Sequence, residues 1–83
     1  MYIHLSTDTA VLKRSILAVI NLEAVPPQSR MVTDYINSED DRGRLQYTSE
    51  EVPKSVIVTD EGTYVSSLSV NVLQRRLSGE VFD

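Results

Sequence analysis

The sequence predicts a single α+β domain of small antiparallel β-sheets and two short helices, in the order ββ-α-β-ββ-α. Three observations predict it. Short runs with period-two alternation or continuous β-branched composition recur along the chain. Two stretches repeat apolar residues at helical spacing, and prolines, glycines and acidic clusters mark the boundaries between runs. A chain of 83 residues fits one domain and no more, because so short a polymer hides only roughly 60–65% of its unfolded surface.

Tyr2 to Ser6 alternates Tyr2, His4 and Ser6 against Ile3 and Leu5, the signature of a half-buried strand. Thr7-Asp8-Thr9 supplies a polar turn. Ala10 to Asn21 is rich in β-branched residues, and its length predicts a long or bent strand that pairs back on the first as a hairpin. A buried helix competes for this segment, since Leu12, Ile16 and Ile20 also fit a four-residue stripe.

Pro26-Pro27 ends whatever precedes it and suits a helix start, because proline at the first helical position gives up an amide that has no intrahelical partner anyway. Met31, Val32, Tyr35 and Ile36 then repeat at helical spacing, so the first helix is expected from Pro27 to Asn37. The acidic stretch from Asn37 to Gly43 reads as a mobile loop. Leu45 and Tyr47 mark a short strand, and Ser49 to Pro53 a connector. Lys54 to Thr59, the turn Asp60-Glu61-Gly62 and the partner Thr63 to Leu68 form the clearest hairpin in the chain. Ser69 can cap a final helix whose inner face is Val70, Leu73 and Leu77, with Gly79 as its stop.

Composition narrows the function. The core must be thin, and with no cysteine there is no disulfide to reinforce it, so oligomerisation is the remaining remedy. The amino terminus lacks a basic region followed by a long apolar stretch, so no signal peptide is read and a cytoplasmic location is expected. Ile16 to Ile20 is far below the roughly 20 residues that cross a bilayer, so no membrane partner is expected.

The footprints of catalysis are missing. One histidine, no cysteine and three isolated glycines leave no metal shell, no Cys/His dyad and no glycine-rich phosphate loop, so neither an enzyme, a cofactor nor a small-molecule substrate is expected. His4 has no second ligand near it in sequence, and Asp40-Asp41 lacks the spaced order of a calcium loop.

Twelve acidic residues against eight basic ones give a net charge of −4, which argues against a lone subunit that coats nucleic acid. A closed assembly changes that arithmetic, because one cation per subunit becomes a repeated positive rim. Arg14, Lys54, Arg75 and Arg76 are the candidates. Ordinary salt bridges to neighbouring carboxylates, and for Arg75 and Arg76 the complement to a helix carboxyl terminus, are the competing explanations.

The order of several segments resembles a family. Met1-Tyr2-Ile3-His4-Leu5, Arg14, the proline-led stretch from Pro26 to Met31, Val52-Pro53-Lys54-Ser55-Val56-Ile57-Val58-Thr59, Tyr64 to Ser69 and Leu73-Gln74-Arg75-Arg76 are together similar to the extracellular matrix regulators of the RemA/RemB family, and closer to its RemB-like members. The resemblance implies a ring-forming α+β subunit, a role in expression of biofilm matrix genes, and double-stranded DNA held by arginines repeated around the ring. Carried over to this chain, it puts Arg14 in the second strand and Lys54 just before the apolar strand in contact with phosphates, with Arg75 or Arg76 assisting. Where RemA-like chains carry an adjacent arginine pair, this one has Glu51-Val52, as RemB-like chains also lack the pair. An oligomeric protein-interaction module without nucleic acid is the alternative.

Overall fold

The amino-terminal alternation produces a hairpin. In the computed structural model, which describes residues 2–24 and 29–78, β1 (Tyr2–His4) pairs antiparallel with β2 (Ala10–Leu12), and buried Ile3 stands opposite buried Val11. The amides of Leu5 and Ser6 close the turn by donating to the Thr9 carbonyl. Beyond Leu12 the expectation of one continuous strand is corrected. A 3-10 turn at Lys13–Ser15 breaks the run, and β3 (Ile16–Asn21) leaves the hairpin for another sheet. The physical reason is the adjacent pair Lys13-Arg14, two charges inside an apolar run. A turn puts both in solvent while it buries Ser15, whose carbonyl accepts a hydrogen bond from the Asp60 amide.

The second sheet has the order β3-β5-β6-β4, with β4 spanning Leu45–Tyr47, β5 Ser55–Thr59 and β6 Thr63–Ser66. The expected β5–β6 hairpin is present, with Val56 opposite Val65 and Val58 opposite Thr63. Thr59 locks its turn, its amide and its hydroxyl both donating to the Gly62 carbonyl. The other pairings are antiparallel as expected, and β4 alone runs parallel to its neighbour, β6, which makes this sheet mixed. The cause is the connector from Thr48 to Lys54, which carries the chain from the end of β4 back to β5 and leaves β4 on the far edge. The observed order is therefore β-β-β-α-β-β-β-α.

The register puts Val19, Ile57 and Tyr64 in one row across the sheet. They pack against Ile3, Leu5 and Val11 of the hairpin segment and against Leu73 of α2 (Val70–Ser78). Each of these side chains, when fully buried, contributes about 1.5–3 kcal/mol. α2 begins as predicted: Ser69 Oγ accepts from the Val72 amide at 3.3 Å, and Leu73 and Leu77 face the core. Gly79 lies outside the described residues.

The opposite face belongs to α1 (Arg30–Asp41), which reaches the sheet through Tyr35 and Glu39. Pro26 and Pro27 lie outside the described residues, and the helix runs to Asp41 instead of ending at Asn37. The acidic segment read as a loop is thus mostly helical. Gly43, at φ 71°, ends it: the Gly43 amide donates to Asp40 O and the Arg44 amide to Glu39 O, a Schellman closure.

Candidate nucleic-acid interface

The cations proposed to meet phosphate are held by three different elements. Arg14 is exposed on the 3-10 turn that precedes β3, and not within a strand as expected. Lys54 is exposed one residue before β5, where the sequence put it. Because Ile16 pairs with Thr59 and Asn21 with Ser55, these two cations flank opposite ends of β3. Six strand residues at about 3.3 Å each separate them by roughly 20 Å. One subunit does not gather them into a patch.

Arg75 is exposed on α2, on the same face as Asn71, Gln74 and Ser78. Arg76 points the other way. Its Nη1 donates to the His4 carbonyl at 2.6 Å, tying α2 to β1, and its Nε is buried with no acceptor among the described residues. The single ion pair among the described residues is Glu39 with Arg44, so Arg14, Lys54 and Arg75 have no carboxylate partner there. The connector beside Lys54 carries exposed Glu50 and Glu51, and exposed Val52.

The sequence reading missed the polar centre of the fold. Glu39 is buried at 5% exposure, and its Oε1 accepts from the Thr63 hydroxyl at 2.6 Å while Oε2 accepts from Arg44 Nε at 3.3 Å. Since the only hydroxyl proton of Thr63 goes to the carboxylate, the 2.7 Å contact between Tyr35 and Thr63 must have Tyr35 as donor. The chain Tyr35 to Thr63 to Glu39 joins α1 to β6. The Thr63 hydroxyl above all, then Arg44, holds the Glu39 carboxyl below the ordinary glutamate value, against the opposing pull of burial. A signal was present: Val32, Tyr35, Ile36 and Glu39 form one i, i+3, i+4, i+7 stripe, so Glu39 continues the inner face.

Residues 2–77 match the RemA-like family, described as extracellular matrix regulatory protein A-like. The chain belongs to this family. It is also 30% identical, over 76 residues, to extracellular matrix regulatory protein B of Bacillus subtilis (strain 168), an alignment that covers 92% of this chain and 89% of that protein. In this RemA-like chain the matched span includes Arg14, Lys54, Arg75 and Arg76, and also Glu51-Val52. No helix among the described residues is long and apolar enough to cross a membrane.

Proposed function

We propose that this RemA-like protein is a cytoplasmic, RemB-like regulator of extracellular matrix gene expression, and that it acts by binding and not by catalysis. In this reading copies of the chain form a closed ring, and the ring holds the backbone of double-stranded DNA. Arg14, Lys54 and Arg75 make the phosphate contacts, and Arg76 assists mainly by fixing α2 on β1.

The observation that carries the proposal is that these three cations are exposed and unpaired among the described residues, in a chain whose net charge is negative. Exposed and unpaired, Arg14 and Arg75 keep their attraction for phosphate, and Lys54 keeps it in part, against Glu50 and Glu51 on the connector beside it. The roughly 20 Å between Arg14 and Lys54 within one subunit favours backbone tracking by a repeated assembly over a compact single-copy site. α1 exposes acidic residues, and the exposed face of the nine-residue α2 has one cation, Arg75, among Asn71, Gln74 and Ser78, so phosphate contacts carry the affinity.

Titration of duplex DNA against salt tests the reading. Binding is expected at about 50 mM salt and is expected to fall steeply by about 200 mM. Arg14→Glu should remove it while the assembly persists. A wild-type protein that assembles but binds no duplex at the lower salt is instead the interaction module without nucleic acid, which the carboxylates at Glu50 and Glu51 favour.

A further inference from the structure

The two helices differ in charge. α1 carries Asp34, Glu39, Asp40 and Asp41 against a single cation, Arg30, whereas α2 has Arg75 and Arg76 and no acidic residue along its length. Of the two, only α2 can lie against a polyanion without setting its own carboxylates on it. Leu73, 2% exposed, and Leu77 fix its apolar side by packing on the core. Asn71, Gln74, Arg75 and Ser78 are exposed. At 3.6 residues per turn these four fall within an arc of about 100°, one stripe on the side away from the core.

The helix is fastened at both ends, so the stripe is held in one orientation. Ser69 Oγ accepts from the Val72 amide at 3.3 Å in the first turn, and Arg76 Nη1 donates to the His4 carbonyl at 2.6 Å in the last. The side-chain amides of Asn71 and Gln74 have no hydrogen-bond partner among the described residues. A carboxamide presents a donor and an acceptor side by side, which matches the N7 acceptor and N6 amino group that adenine shows in the major groove.

The dimensions agree with that match. Nine helical residues span about 13.5 Å, and the major groove, roughly 12 Å wide, admits an α-helix. Asn71 and Gln74 are three positions apart, a rise of about 4.5 Å, against about 3.4 Å from one base pair to the next. Their amides therefore reach neighbouring base pairs, and Arg75 beside them keeps its phosphate contact.

We infer that α2 enters the major groove of double-stranded DNA and that Asn71 and Gln74 read adenines on neighbouring base pairs. This rests on the DNA binding in the proposed function and adds sequence recognition to it. Phosphate contacts supply the affinity and the register, and the two amides supply the choice of site.

Selection from a pool of duplexes with a randomised centre, at about 50 mM salt, tests the inference. Wild type should enrich a motif with adenines on neighbouring base pairs, bound roughly 5- to 100-fold more tightly than the unselected pool. The double variant Asn71→Ala, Gln74→Ala changes two exposed positions to the residue that helices favour most, so it should fold, which circular dichroism checks. It should still bind the pool and lose the preference for those adenines. Three results each overturn the inference and leave the proposed function standing: wild type that enriches no motif or one without adenines, a double variant that enriches the same motif, and a folded double variant that has lost the pool as well. A second measurement needs no substitution in the protein. Replacing the enriched adenines by 7-deazaadenine removes the N7 acceptor and should bring wild-type binding down toward that of the pool, and unchanged binding overturns the major-groove reading. A wild-type protein that binds no duplex at all defeats the proposed function together with this inference.

Discussion

Gly43 and Gly62 are needed for different reasons, and alanine at each separates them. Gly43 holds φ 71°, a left-handed conformation, and an added Cβ there meets nothing within 4 Å. Its substitution should cost only the conformational penalty, about 1 kcal/mol. Gly62 has no such backbone requirement, but a Cβ there comes within 2.8 Å of the Arg44 carbonyl oxygen, the same atom that accepts from the Thr63 amide. Backbone must move to admit it, at a cost of about 1–3 kcal/mol. Urea midpoints at one fixed protein concentration should therefore rank wild type above Gly43→Ala and Gly43→Ala above Gly62→Ala. The reverse order of the two variants would mean that the approach of β4 to the β5–β6 turn relaxes freely.

At the scale of elements, the Glu39 network is what fastens α1 to the sheet, and it gives the fold a pH dependence. The carboxyl is held below its ordinary value in the folded chain. Its contribution to stability is therefore complete above the unfolded value, about 4.3, and is lost as pH falls through the lower folded value. Thermal unfolding of wild type should weaken across that acid window. Glu39→Gln should be less stable at neutral pH and flatter in acid, and curves that fall in parallel for the two proteins would place the acid sensitivity elsewhere. The same residue shows what the sequence hides. Local patterns, such as Ser69 before the α2 stripe or the turn after Thr59, were legible because their hydrogen bonds close within a few residues. The helical stripe from Val32 to Glu39 was equally local, but three acidic residues in a row outweighed it. The parallel entry of β4 and the departure of β3 from the first hairpin were not legible, since partners such as Thr63 and Thr59 lie 18 and 43 positions away from Leu45 and Ile16. Lys54 stands just before the apolar strand, where the sequence put it, whereas the tie between Arg76 and His4 spans 72 positions and leaves no local trace.

For the whole molecule, the proposed function turns on whether an acidic chain can show phosphates a sufficiently positive surface, and Glu51 is where that balance is most open to experiment. It is exposed, it precedes Lys54 by three residues, and it stands beside Glu50 at the end of the sheet opposite Arg14. A carboxylate there would repel any backbone that Lys54 attracts, and every copy in the proposed assembly would repeat the conflict. Glu51→Arg changes the charge by two per subunit without touching the core. If the Lys54 end of each subunit faces DNA, the variant should bind duplex more tightly at about 50 mM salt, and the fall of log K with log salt should steepen by about 0.9 for each phosphate newly neutralised. The gain should also shrink as salt rises, because it is electrostatic. An unchanged slope in a protein that still assembles would show that DNA, if held at all, is held from the Arg14 end alone, and that the Lys54 end with its two carboxylates is turned toward a protein partner.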